Sequence, residues 1–128
     1  YGTMIYAREG KQILDGVFVM AAFLGSRDVP AAIEKAGGLG PWQAGAIKEQ
    51  EVDKQLWTWL QENFYGSPSR RLPKTYIGYG VDDRFVQSNR LLARELPAAQ
   101  VFEVPGGHSW APWRALWAKW LTAEFAQQ

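Results

Sequence analysis

Apolar residues along this chain follow three different rhythms. The run Gly16-Val17-Phe18-Val19-Met20-Ala21-Ala22-Phe23-Leu24-Gly25 is continuously apolar between two glycines, as in a parallel strand covered on both faces. It is expected to lie inside a sheet. Two further β-rich runs, Thr75-Tyr76-Ile77-Gly78-Tyr79 and Gln100-Val101-Phe102-Glu103-Val104, are bounded by turn residues. Elsewhere the spacing is helical. Val52, Leu56, Trp59, Leu60 and Phe64 recur at three- and four-residue steps within 46–64, and Trp113, Leu116, Trp117, Trp120, Leu121 and Phe125 form a stripe within 112–125. A short helix over 30–36 closes at Gly37-Gly38, and another over 85–96 stops before Pro97. Pro68 to Pro73 reads as a polar turn. Tyr1 to Gly10 reads as the tail of a helix with glycine past its end, so the chain is expected to open within a larger arrangement.

Strands and helices in alternation yield a parallel sheet with helices packed on it. The expected fold is α/β, three-layered, with about three strands and flanking helices, in one domain over 1–128. Such a sheet leaves an edge unpaired, and natural proteins seldom expose one. Self-association, or pairing with a complementary chain, is therefore expected along Val17–Leu24.

Composition removes several classes of function. Basic and acidic residues number 14 and 13, with Arg70-Arg71 the only basic doublet, so no stripe exists to follow a nucleic-acid backbone. There is no cysteine and a single histidine, which excludes disulfide frameworks, thiol chemistry and histidine-rich metal centres. No metal and no cofactor are expected. The run Val17–Leu24 is far short of the roughly 20 apolar residues of a membrane helix, so no membrane association is expected and the location is read as cytoplasmic.

The candidate chemistry centres on Gly106-Gly107-His108-Ser109-Trp110, just past the third strand-like run. The carboxyl ends of strands are where open α/β sheets build their sites. An imidazole on a glycine turn can take and return a proton. Asp82-Asp83 lies past the second strand, so an acid and a histidine, two-thirds of a nucleophilic triad, follow two strands. Both have plainer readings. A histidine can cap a turn, and aspartates commonly form turns and start helices. One of the two aspartates is expected to cap the following helix, leaving the other to accept the ring N–H. Of the seven tryptophans, Trp57, Trp59, Trp113, Trp117 and Trp120 fall in the long helices and read mostly as core. Trp42 sits between breakers, and Trp110 is placed on a loop as a wall of a substrate pocket. None of Ser26, Ser67, Ser69, Ser88 and Ser109 stands in G-x-S-x-G; no nucleophile is found.

These motifs, in this order, resemble the carboxyl-terminal half of an α/β-hydrolase over nearly the whole chain. Gly80-Val81-Asp82-Asp83 is similar to the family's G-x-x-D, which implies Asp83 as the acid and Asp82 as second choice. Gly106 to Trp110, continued by Trp113, is similar to G-G-H-x-W of esterase members, including relatives of formylglutathione hydrolases and siderophore esterases. Tyr1-Gly2-Thr3-Met4 looks like the helix leaving a nucleophile elbow, and Asp15 to Gly25 like the next strand. The resemblance implies a serine hydrolase acting on a small ester, in which Asp83 orients His108 and His108 activates a serine outside this sequence. Residues 26–72 would form a helical insert over the site. By itself the chain is then expected to be inactive as an esterase. The alternatives are a non-catalytic, hydrolase-derived module that binds a partner through its sheet edge, and an aromatic-rich ligand-binding domain, against which the helical spacing of the tryptophans speaks.

Overall fold

Every residue from Thr75 to Gly80 is buried because β2 (Lys74–Gly80) is the middle strand of a three-stranded parallel sheet, between β1 (Gly16–Met20) and β3 (Val101–Val104). In the computed structural model, which describes residues 14–67 and 72–125, β2 and β3 run in parallel register from Ile77 opposite Val101 to Gly80 opposite Val104. The helices are α1 (Asp28–Lys35), α2 (Val52–Tyr65), α3 (Val86–Ala93) and α4 (Trp110–Phe125), with a 3₁₀ turn at Ala98–Gln100 before β3. The expected α/β class is the one observed. The opening helix expected over Tyr1–Gly10, and residues 68–71 of the expected turn, lie outside the described residues.

The described residues divide into two compact units, 24–74 with Leu14 and Asp15, and 16–23 with 75–125. In the first, α1 ends as the double glycine requires. Gly37, at φ 91°, donates to Glu34 O, and Gly38 donates to Ile33 O, the paired bonds of a Schellman cap. Helix α1 packs on α2, whose polar side chains hold the neighbouring loops by their backbone. Gln61 donates to the carbonyls of Leu39 and Trp42, both at 2.7 Å, and Trp57 donates its indole N–H to Leu24 O at 2.9 Å. Trp42 is buried here.

The second unit holds the sheet. On one face Phe18 and Tyr76 meet Trp120 of α4, Phe18 stacked on it at 5.2 Å and Tyr76 edge-on to it at 6.0 Å, while Phe102 lies against Phe18 and Tyr76. Beside them Leu116 is fully buried, which stabilises the fold by roughly 1.5–3 kcal/mol. On the other face the Tyr79 hydroxyl donates to Glu103, and Glu103 accepts Arg90 Nε of α3 at 3.1 Å. Alternation along β2 thus sends Tyr76 toward α4 and Tyr79 toward α3.

Four expectations need correction. The first strand is Gly16–Met20, not Val17–Leu24, and it is an edge strand among the described residues rather than an interior one. Ala21 adopts φ 46°, and the side chain of Asn89 takes both the N–H and the C=O of Ala22, so these groups are unavailable to a ladder. The 46–64 helix begins only at Val52, because Glu51 turns back to accept the Lys48 N–H at 2.8 Å and holds the preceding residues in a turn. Helix α3 stops at Ala93, where Glu95 and Leu96 donate to Leu92 O and Ala93 O and tighten the end. The tryptophan stripe of α4 is only partly core: Leu116 is buried, whereas Trp117 and Phe125 are exposed.

Burial first, and then the hydrogen bond to Glu103, push the Tyr79 phenol up to about 12. A folded-state value above the unfolded one means stability is complete below the unfolded value, about 10, and declines as pH rises toward 12. Urea midpoints measured across that interval should therefore fall with pH, and Tyr79→Phe should flatten the slope. An unchanged slope in that variant would assign the alkaline loss to another group.

Candidate active site

The ends of β2 and β3 are joined more tightly than a sheet alone requires. Beyond the strands, Val81 donates to Val104 O at 2.9 Å and Asp82 donates to Gly106 O at 3.0 Å, so the two following loops stay side by side. Only glycine fits at the junction. A Cβ on residue 80 would stand 2.1 Å from Gly106 O, far inside van der Waals contact. Gly106 itself has φ 105°, a conformation that side-chain-bearing residues rarely adopt.

This junction brings Asp83 and His108 together. Asp83 turns inward through the bond from its N–H to Gly80 O, and its residue is 2% exposed. Its Oδ1 accepts the Phe85 N–H at 2.8 Å, and its Oδ2 lies 2.9 Å from His108 Nδ1. An ionised carboxylate only accepts, so the facing ring nitrogen carries the hydrogen. In the neutral ring this arrangement has Nδ1–H donating to Asp83 and leaves the lone pair on Nε2. The ring stands edge-on between Phe85, at 5.2 Å, and Trp113, at 4.9 Å.

The expected site residues are distributed as follows. Asp83 is the partner of His108, while Asp82 is exposed. The expected division of labour, one aspartate capping and the other pairing, does not hold: both oxygens of Asp83 are used, one for the turn and one for the ring. Trp110 is not on a loop. It is the first residue of α4, 73% exposed, and touches Trp113 edge-on at 5.4 Å; the indole that packs on His108 is Trp113. Among the described residues no serine hydroxyl hydrogen-bonds His108, and Ser88 donates to Phe85 O instead. Nor does any group of three or more His, Cys, Asp or Glu side chains among them form a metal site, and no helix among them is long and apolar enough to cross a membrane.

Two contributors were missed in the sequence. Phe85 supplies both the N–H that fixes Asp83 and a ring against His108. Asn89, one turn later, fixes the exit of β1 through three bonds of its side chain, to Ala22 N at 3.1 Å, Ala22 O at 2.9 Å and Phe85 O at 2.8 Å. That clamp sets Phe23 on Phe85, ring centroids 5.4 Å apart. Asn89 stands in the polar run Gln87-Ser88-Asn89-Arg90, so its sequence neighbours did not set it apart.

No family model and no solved structure matches this chain. A Mycobacterium tuberculosis protein provisionally named a monooxygenase is 37% identical to it over 70 residues, which cover 52% of this chain and 18% of that protein. The chain therefore spans less than a fifth of that relative's length. The expected function is corrected by this finding: the similar protein is named for oxygenation, not for hydrolysis, so neither a serine ester hydrolase nor a hydrolase-derived binding module is supported.

Replacing Asn89 with alanine strands the two backbone groups of Ala22 in a partly buried setting. The expected loss is about 2–4 kcal/mol in denaturant unfolding. Amide exchange should accelerate first at Ala22 and Phe23. A loss below about 0.5 kcal/mol, the scale of ordinary surface changes, would show that the clamp is dispensable.

Proposed function

We propose that this chain carries a proton-transfer centre in which His108, oriented by Asp83, acts as general base through Nε2 on an organic substrate. The single observation behind this reading is the 2.9 Å approach of Asp83 Oδ2 to His108 Nδ1. A buried acceptor on one ring nitrogen fixes the tautomer and stabilises the imidazolium formed when the other takes a proton. The edge-on rings of Phe85 and Trp113 keep the imidazole upright, so Nε2 is presented without a search over ring orientations.

The monooxygenase name of the M. tuberculosis protein supplies the reaction class to examine. Oxygenation of an organic molecule can begin with loss of a proton from carbon or oxygen, and His108 is built for that opening step. In this reading the motif order that resembles an α/β-hydrolase belongs to the scaffold, and a scaffold does not dictate its chemistry.

The chain has one histidine, so histidine-selective ¹⁵N labelling gives a single ring. The neutral ring should show a protonated Nδ1 and a bare Nε2, and Asp83→Asn should reverse the tautomer while Asp82→Asn leaves it unchanged. Deuterium washout from a panel of carbon acids should fall by about 10²-fold or more in Asp83→Asn and in His108→Gln. A wild-type ring protonated at Nε2, or equal losses in the two aspartate variants, would overturn the assignment.

A further inference from the structure

Burying a polar side chain costs free energy unless its hydrogen bonds are met, so the place where a fold concentrates such groups is informative. Aromatic rings aside, the buried polar side chains among the described residues are those of Thr75, Asp83, Ser88 and Asn89. Asp83, Ser88 and Asn89 converge on the backbone of one residue, Phe85. Its N–H donates to Asp83 Oδ1 at 2.8 Å. Its carbonyl oxygen accepts three donors, Asn89 N at 3.1 Å, Asn89 Nδ2 at 2.8 Å and Ser88 Oγ at 3.0 Å. A helix supplies one bond to each such carbonyl, so two buried side chains are spent on a group that α3 alone would satisfy.

The surplus fixes a residue that the helix leaves loose. Phe85 precedes α3 at φ −103° and ψ 10°, in the sparsely populated region between helix and strand. Both members of the His108 centre take their position from it. Its N–H holds the acid, and its ring stands edge-on to the imidazole at 5.2 Å, so a shift of residue 85 would move the donor of Asp83 and the wall of His108 together. The Asn89 amide is oriented from a third direction, since it also holds Ala22 N and Ala22 O. The Ser88 hydroxyl donates to Phe85 O and takes no part in that clamp.

We propose that Ser88 and Asn89 are positioning residues of the His108 centre, acting through Phe85 to keep Asp83 in line with Nδ1 and the imidazole upright. The inference rests on the proton-transfer reading for the purpose of the pair, and on the bonds to Phe85 for the roles of the two side chains. Neither residue touches His108. Their effect on it is carried by one peptide and one ring, in a core where side chains have little room to compensate.

Asn89→Ala also strands Ala22, so Ser88 gives the cleaner test. In the full 128-residue chain the single histidine is labelled with ¹⁵N, and exchange of its Nδ1 proton with water is measured beside the tautomer signals. Ser88→Ala is expected to accelerate that exchange about fivefold, the size of one hydrogen bond, and to raise the Nε2–H tautomer. Ser88→Thr, which keeps the hydroxyl, should restore the wild-type rate. Tyr79→Phe removes another buried hydroxyl, one that donates to Glu103 and not to Phe85, and should leave the ring unchanged. An unchanged near-ultraviolet spectrum verifies the fold of each variant. Wild-type exchange in Ser88→Ala, or equal acceleration in Tyr79→Phe, would overturn the proposal, the second by assigning the effect to general loosening. A wild-type ring protonated at Nε2 overturns the proton-transfer reading itself, whereas a wild-type Nδ1–H that is indifferent to Ser88 overturns this inference alone.

Discussion

The close approach of two backbones at Gly80 and Gly106 governs what the sheet ends can present. Without it, β2 and β3 would diverge into independent loops, as strands usually do once their ladder stops. Here the hydrogen-bonding pattern continues through Val81 and Asp82, and the first side chains beyond it are forced into one another's reach. A pair assembled by two separate flexible loops would have to order both before it could act. This one inherits its order from the strands.

Asp83 shows how a buried carboxylate is tolerated at such a place. Desolvating an unpaired charge is expensive, and removing one partner of a buried pair costs more than the pair itself contributes. Each oxygen therefore has its own donor, a backbone N–H for one and an imidazole N–H for the other. The backbone donor is the more telling of the two. It belongs to Phe85, so the same residue that satisfies the acid also supplies a wall for the histidine, and a change to that turn would disturb the charge and the packing together.

Much of this arrangement was legible in the residues. The strands at 75–80 and 101–104 are short apolar runs between turn formers, and local chemistry decides both ends. The meeting of His108 with an aspartate followed from placing each just past a strand. What was not legible depends on partners far along the chain. The apolar run from Gly16 looks uninterrupted, yet it leaves the sheet after Met20 because Asn89 competes for the backbone of Ala22. Trp110 belongs to α4 rather than to the loop before it, since proline is tolerated throughout a first turn and the helix starts two residues ahead of Pro112. The reaction class was not legible, since the same strand-end geometry serves many chemistries; the similar M. tuberculosis protein is named for oxygenation and not for hydrolysis.

The clamp on Ala22 has a consequence for how the segment after β1 is specified. Asn89 binds peptide groups rather than side chains, from 67 positions away, so the instruction for that bend is not written in the bend itself. Ala21 and Ala22 are interchangeable with many other small residues as far as this contact is concerned, and the left-handed backbone at Ala21 persists because it is held from outside. A peptide copied from this stretch and transplanted into another scaffold would arrive without its conformation. The segment is portable only together with the helix that reads it.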